Sequence, residues 1–227
     1  MNRTRDYDDD AAAEPVEWVD ARLRSPSTVM IAGPSGSGKT HLLIDLIERA
    51  ETVAVPPPTE IVFCYAVWQK AYERLRGKVR FHRGLLGEED RLPNDGRNRW
   101  LIIDDLMREA TEKGGSDDLF TRESHHHNIT VFFVVQNLFY DKARTVSRNT
   151  HYFFLAKNPR YAEQAMTLAR QMMPGETRYF LEAFKDATLK PYSFLLVSAR
   201  QETPDNLRLI KNFARDGETM YAYARKR

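Results

Sequence analysis

A glycine-rich segment that ends in a lysine and a threonine is the part of this sequence whose residue types best fit a chemical task. The segment runs from Gly33 to Thr40, GPSGSGKT, and matches the pattern G-x-x-x-x-G-K-[ST]. Glycines allow several backbone N–H groups to approach one polyphosphate without intervening side chains. In this pattern Lys39 reaches the β and γ phosphates of a nucleotide, and the Thr40 hydroxyl is a ligand of Mg²⁺. The predicted nucleotide-binding residues are Gly33, Pro34, Ser35, Gly36, Ser37, Gly38, Lys39 and Thr40.

The residues on either side give this loop the setting that the pattern requires. An apolar run, Thr28 to Ala32, precedes the loop and predicts a buried strand. After the loop, apolar residues recur at helical spacing from His41 to Ala50, and the N-terminus of such a helix favours an anion. The alternative is a flexible Gly/Ser linker that contains Lys-Thr by chance. Such a linker is not expected between a buried strand and an amphipathic helix.

Two adjacent carboxylates follow a second apolar run. Trp100 to Ile103 is apolar, and Asp104 and Asp105 come directly after it, roughly sixty residues beyond the glycine-rich loop. We expect this strand to lie beside the strand of the loop. Asp104 would then hold Mg²⁺ through water, and Asp105 would orient or deprotonate the attacking water. Alternatively, the two acids cap a helix that begins at Leu106.

A polar residue also ends the most apolar run of the chain. Ile129 to Val135, ITVFFVV, is uninterrupted, as expected of a strand that is covered on both faces in a parallel sheet. Gln136 follows it. A polar side chain at the carboxyl end of a central strand lies beside the nucleotide crevice, so Gln136 is a candidate for sensing the γ phosphate or positioning water. The alternative is a strand cap that faces solvent.

The remaining patterns predict one α/β domain with a mostly parallel central sheet and flanking helices. Other predicted strands are Glu60 to Tyr65, Val79 to Phe81 and His151 to Ala156, and other predicted helices are Trp68 to Leu75, Ala162 to Met173 and Glu176 to Phe184. Near the C-terminus, Tyr192 to Ser198 and Leu207 to Phe213 predict an edge hairpin. Residues 1–14 have no apolar periodicity and predict a flexible acidic tail, which leaves 15–227 as a single domain.

The composition of the chain limits the class of protein to which it can belong. The chain has 227 residues, of which 42% are hydrophobic and 29% charged, and these values are typical of a globular protein. No stretch approaches the roughly twenty apolar residues that cross a bilayer, and no signal-peptide pattern is present, so we expect an intracellular protein without a membrane span. The net charge of +2 neither requires nor excludes a nucleic-acid partner.

Taken together, the motifs GPSGSGKT, LIIDDL, FTRESHHHNITVFFVVQNLF and SRNTHYFFLAKNPR resemble the FtsK/HerA class of P-loop ATPases. Within this class, the sequence is most similar to the genome-packaging ATPases of double-stranded DNA viruses, of the poxvirus and polinton kind. The resemblance covers roughly residues 25–200, and the order of the motifs is more specific than any one of them. It implies a RecA-like P-loop NTPase fold with an extra strand between the strand of the loop and the strand of the acids.

The resemblance also implies residues that act between subunits. Members of the class place an arginine finger at each subunit junction, before the strand that ends in the polar sensor, and Arg122 is the matching position here. Arg148, in SRNTHYFF, also matches a family arginine and is the second candidate. The sequence departs from many relatives at Asp105, where these have Glu, and this leaves open which group activates water.

The function that the resemblance implies is hydrolysis of ATP, with Mg²⁺, by a homo-oligomeric ring, commonly a hexamer, that pumps duplex DNA through its centre. Contacts with DNA would be to phosphates and independent of base sequence, because a translocase must tolerate any sequence. A packaging motor also implies a capsid or portal partner and a site of virion assembly in the cytoplasm or nucleus of the host cell. Two alternatives stay open: a small phosphotransferase of the nucleotide-kinase kind, and an ATP-gated scaffold without significant turnover.

Overall fold

The computed structural model describes residues 20–106, 109, 128–139, 148–158, 162–215 and 217–225. The strands are β1 (Leu23–Arg24), β2 (Thr28–Ala32), β3 (Ala54–Val55), β4 (Glu60–Tyr65), β5 (Arg80–Arg83), β6 (Arg99–Asp104), β7 (Ile129–Val135), β8 (Tyr152–Ala156), β9 (Phe194–Ser198), β10 (Leu209–Lys211) and β11 (Tyr221–Ala222). The helices are α1 (Lys39–Glu48), α2 (Ala50–Val53), α3 (Ala162–Met172) and α4 (Thr177–Ala187), with 3₁₀ helices at Lys70–Leu75 and Asp205–Leu207. The predicted tail, residues 1–14, lies outside the described residues.

The central sheet has nine strands in the order β11-β10-β9-β8-β2-β7-β6-β4-β5. The strands from β8 to β5 are parallel to their neighbours, whereas the pairs β8–β9, β9–β10 and β10–β11 are antiparallel. The sheet is therefore more mixed than the sequence predicted. A separate parallel pair, β1 and β3, lies outside this sheet.

The strand that carries the two acids does not lie beside the strand of the glycine-rich loop. β7 pairs with β2 on one side and with β6 on the other, so the expectation of direct neighbours is wrong. The intervening strand that the resemblance implied is present. β7 suits this central position because all seven of its residues are buried and none is charged, whereas β6 begins with Arg99 and ends with Asp104.

Helices cover both faces of the sheet. On one face, Met30, Ile103 and Phe133 pack with residues of α3 and α4. On the other face, alternate residues of the same strands pack with α1, α2 and the 3₁₀ helix Lys70–Leu75. Side chains at every second position of a strand point to the same face of the sheet. Asp104 therefore shares a face with Trp100 and Ile102, which is the face that α1 covers.

The predicted C-terminal hairpin is only partly at the edge. β9 and β10 pair in antiparallel fashion, which confirms the hairpin. β11 pairs with the outer side of β10 and takes the edge position. This strand has two exposed residues, and so short a segment shows no apolar alternation from which it could be predicted. In the part of the chain that the structure describes, no helix combines the length and the apolar character that crossing a membrane requires.

Candidate nucleotide-binding site

The glycine-rich loop crosses from β2 to α1 at the carboxyl edge of the sheet. The N–H of Gly33 donates to the Val135 carbonyl at 3.2 Å, which ties the start of the loop to the end of β7. Inside the loop, the Ser37 N–H donates to the Pro34 carbonyl at 3.1 Å. The Leu42 N–H donates to the Gly38 carbonyl at 2.9 Å and begins α1. The predicted order of strand, loop and helix is therefore present.

Three glycines of the loop meet different steric demands. A Cβ at Gly33 would lie 2.6 Å from the Ala156 Cβ and 2.7 Å from the Ser37 Oγ, so no side chain fits there. Gly36 and Gly38 have φ angles of 76° and 91°, which only glycine adopts without strain. A Cβ at Gly36 would have no atom within 4 Å, so the space over the loop is open. The loop has the shape of a cradle that backbone N–H groups can line.

The ammonium group of Lys39 lies across this cradle. It donates to the carbonyl oxygens of Gly33 at 2.7 Å and Pro34 at 2.9 Å. Burial lowers the pKa of Lys39, and the negative charges of Asp104 and Asp105 act in the opposite direction. Both carboxylates thus lie close enough to Lys39 to influence its charge, so the structure brings the lysine and the acidic pair into one site.

The sheet register explains how the acidic pair reaches the loop. Asp104 and Ile31 both lie opposite Val134, so they are level with each other on the two sides of β7. Two strand spacings separate them, which corresponds to roughly 10 Å. The carboxyl ends of β2 and β6 therefore meet at one edge of the sheet, at a separation that a magnesium-bound triphosphate can bridge.

The two carboxylates have different surroundings. Asp104 is the last residue of β6 and is only 3% exposed. Asp105 is exposed and has a φ angle of 59°, so the backbone turns sharply between strand and loop. The residues after Leu106, which a helix cap would serve, lie mostly outside the described residues, so the capping alternative stays untested.

Asp104 is held by a tyrosine that sequence reasoning missed. The Tyr72 hydroxyl donates to Asp104 Oδ2 at 2.7 Å. Burial raises the pKa of Asp104, whereas the bond from Tyr72 lowers it. Burial and the charge of Asp104 raise the pKa of Tyr72, which keeps its hydroxyl protonated as the donor. No spacing rule could have found this contact, because 32 residues separate the partners.

Thr40 and Asp104 are suitable ligands for magnesium. Their hydroxyl and carboxylate oxygens are the hard donors that Mg²⁺ prefers in nucleotide sites. The Thr40 hydroxyl makes a long hydrogen bond of 3.5 Å to the Gln69 Oε1. Gln69 directly precedes the 3₁₀ helix that carries Tyr72, so one segment contacts both predicted ligands. The open cradle and this oxygen pair fit a magnesium nucleotide.

Gln136 lies at the rim of the same edge. It directly follows β7, its side chain is exposed, and it lines a cavity together with Gly33, Asn158 and Gln164. This position beside the start of the loop is the one that the sequence predicted. Its role in sensing phosphate stays a prediction.

Of the two candidate arginine fingers, Arg148 lies among the described residues, and it is not at this site within one chain. Arg122 lies outside the described residues. Arg148 is exposed and precedes His151, whose N–H donates to the Thr28 carbonyl at 2.9 Å at the amino end of β2. The loop leaves β2 at the other end, roughly 16 Å away along the strand. Arg148 can therefore reach a loop of this kind only in a neighbouring subunit.

Removing the Tyr72 hydroxyl should impair the site without disturbing the core. In Tyr72→Phe the ring keeps its contact with Phe63, at 4.8 Å between centroids, but Asp104 loses its buried donor. Loss of a partner that orients a metal ligand typically costs 10- to 100-fold in metal affinity or activity, so we expect a loss of turnover of about this size. Turnover of ATP as a function of Mg²⁺ concentration is the measurement.

The matched control is Tyr152→Phe, which also removes one hydroxyl from a buried tyrosine. The Tyr152 hydroxyl accepts a bond from the Arg24 N–H, at 3.1 Å, and lies far from the loop. We expect this variant to keep the turnover and Mg²⁺ dependence of the unmodified chain. Equal turnover in both variants would show that Asp104 does not depend on Tyr72.

Comparison with solved structures gives several matches, one of which is to part of a secretion ATPase. The cytoplasmic domain of the type VII secretion ATPase EccC from Thermomonospora curvata superposes with a TM-score of 0.51 at 14% sequence identity. The match covers 78% of this chain and 24% of that chain, so this chain spans about a quarter of its length. No protein-family profile matches the sequence, and no curated protein matches it. At this level of identity the likeness shows that the chain shares its α/β fold with part of an ATPase.

Proposed function

We propose that this chain is a RecA-like P-loop ATPase of the FtsK/HerA class that moves double-stranded DNA at the expense of ATP. The observation that carries the proposal is the meeting of Lys39, Asp104 and Asp105 at one edge of the sheet. Phosphoanhydride hydrolysis needs a loop that binds phosphates and a carboxylate that handles water. The fold shared with a secretion ATPase supports the ATPase part. The DNA part is supported by the resemblance of the motifs.

Lys39 is the phosphate ligand in this proposal. In the chain without nucleotide, its ammonium group donates hydrogen bonds to two loop carbonyls, those of Gly33 and Pro34. Hydrogen bonds from an ammonium group to phosphate oxygens are stronger than those to neutral carbonyls. A bound nucleotide would therefore favour a lysine conformation in which the ammonium group contacts the phosphates. In this proposal, the Lys39 side chain turns from these two carbonyls to the phosphates.

Thr40 and Asp104 would hold Mg²⁺, which when bound would neutralise charge on the phosphates. Asp105 projects from the turn that follows β6 and is open to solvent, so it can orient or deprotonate a water molecule. Gln136 positions that water or contacts the terminal phosphate. A neighbouring subunit supplies Arg122 or Arg148, whose positive charge stabilises the transition state.

The proposal requires an assembly larger than one chain. Arg148 could act as the finger only from a second copy, since it lies at the edge of the sheet opposite the loop, and the resemblance assigns Arg122 to the same subunit junction. A closed homo-oligomeric ring provides one such junction for each site and a central passage for DNA. If the ring packages a viral genome, it also docks on a capsid or portal. Light scattering with a non-hydrolysable ATP analogue and duplex DNA measures the size of the assembly.

The test is the dependence of ATP turnover on duplex DNA. We expect linear duplex DNA to raise phosphate release several-fold, with equal effect for two duplexes of unrelated sequence, because the contacts are to phosphates. The effect should fall steeply between about 50 and 200 mM salt. Single-stranded DNA of matched length is the control ligand.

Each alternative function has its own outcome in this assay. A phosphotransferase would respond to a nucleoside or nucleotide acceptor, and the acceptor would appear as a phosphorylated product. A scaffold would bind ATP and assemble but release no phosphate, with or without DNA. If an assembled ring hydrolysed ATP at the same rate with and without duplex DNA, the translocase proposal would be overturned, but the proposal that the chain is an ATPase would stand.

A further inference from the structure

Tyr192 is an aromatic residue that does not belong to the hydrophobic core. It lies between α4 and β9 with 68% of its surface exposed. Its φ angle is 59°, in the left-handed region, where a bulky residue is strained unless its surroundings compensate. An exposed aromatic side chain held in a strained conformation indicates a role other than packing.

Tyr192 lies directly against the glycine-rich loop. A Cβ at Gly38 would come within 3.2 Å of both the Cβ and the Cδ1 of Tyr192. Gly38 is the N-cap of α1, at the place where the loop becomes a helix. The tyrosine therefore borders the phosphate cradle, and any side chain at Gly38 would displace it.

A cavity opens beside this contact. It holds about 610 Å³ of space, including its open mouth, and α1, β8 and the segment after β10 form its walls. Tyr192, Asn212 and Ala214 line it, and all three have positive φ angles. Among the described residues other than glycine, only Asp105 and Asn128 share this conformation. Three of these five residues therefore line this cavity, and a fourth belongs to the acidic pair, as expected where backbone strain marks a binding site.

The cavity lies on the correct side of the loop for the nucleoside part of a nucleotide. The acidic pair ends β6, on the β7 side of β2, whereas the cavity lies toward β8, β9 and β10. A nucleotide whose terminal phosphate points to Asp104 and Asp105 must extend its ribose and base in the opposite direction. Gly38, which is the N-cap of α1, and the α1 residues His41 and Asp45 share one helix face and border the cavity on that side.

We propose that Tyr192 is the platform on which the base of the bound nucleotide stacks, and that the stacking gives the site a preference for purines. This inference rests on the proposed nucleotide binding by the glycine-rich loop and adds a specificity residue to it. Purines offer a larger π face than pyrimidines, and stacking on an aromatic ring does not require matched hydrogen bonds.

Equilibrium binding of nucleoside diphosphates separates this role from a structural one. Loss of a stacking partner weakens binding of a base by about 5- to 150-fold. We expect Tyr192→Ala to weaken ADP and GDP by this factor and to weaken UDP and CDP less, so that the purine preference falls. Inorganic tripolyphosphate, which has no base, should bind both forms equally. Tyr192→Phe, which keeps the ring, should retain the affinity and the preference.

Tyr221→Ala is the matched control, because Tyr221 is also an exposed tyrosine, on β11, and does not line the cavity. Equal affinity of Tyr192→Ala and the unmodified chain for ADP would overturn this inference while leaving the proposed function in place. Equal weakening of ADP and tripolyphosphate would also overturn it, since the loop and not the base would then be affected. Failure of the unmodified chain to bind either ligand would instead reject nucleotide binding itself.

Discussion

Lys39→Ala should abolish ATP turnover and weaken nucleotide binding. The ammonium group bonds two carbonyl oxygens of the cradle, and the charges of both acids act on it. Removal of a single group that stabilises charge in a transition state costs about 10²–10³-fold in rate, and Lys39 also contributes to binding in the ground state. Phosphate release at saturating ATP and equilibrium binding of ADP are the two measurements.

The fold should tolerate this change. In the unbound chain Lys39 contributes two charge-assisted hydrogen bonds to loop carbonyls, and the cost of burying its charge offsets part of them, so we expect a decrease of about 1–3 kcal/mol in the free energy of unfolding. Lys78→Ala is the control for loss of one positive charge, because Lys78 is an exposed residue that pairs with Glu48. Lys39→Arg tests geometry, because a planar guanidinium cannot replace a compact ammonium group in the cradle. Normal turnover in Lys39→Ala would reject the loop as the phosphate site.

Asp105→Asn should separate binding from hydrolysis. The substitution keeps the size of the side chain, and asparagine tolerates the left-handed backbone that position 105 adopts, so the turn after β6 should be preserved. A carboxylate that orients or deprotonates water contributes about 10²–10⁴-fold to the rate, and we expect a loss of this size. ADP affinity should change little, because Asp105 is exposed and does not belong to the loop that binds the phosphates. Single-turnover hydrolysis together with equilibrium binding measures both effects.

Comparison of variants at this position identifies the base. Asp105→Glu restores the longer carboxylate of the resembled family and should keep most of the turnover if the carboxylate at position 105 handles water. Glu88→Gln removes one exposed carboxylate from the loop after β5 and is the neutral control. Full activity of Asp105→Asn would assign water activation to another group, and loss of ADP binding would assign Asp105 to the metal site.

Local patterns were enough to predict the elements at the centre of the site. The glycine-rich loop, the strand that ends in Asp104 and the apolar strand before Gln136 are continuous stretches, each with its own periodicity, and each forms the predicted element. The C-terminal strands β9 and β10 also form the predicted hairpin. What the sequence determined by itself is therefore which segments form strands and helices, and which polar residues stand at their ends.

Only the tertiary structure decided which of these residues meet. β7 lies between β2 and β6, and no local pattern specifies the order of parallel strands that are joined by long crossovers. Tyr72 holds Asp104 across 32 residues, and Tyr192 borders Gly38 from the far end of the chain. The same folding places Arg148 at the opposite edge from the loop. These contacts depend on packing between distant segments, because side-chain contacts across a sheet are set by register and burial and not by spacing along the sequence.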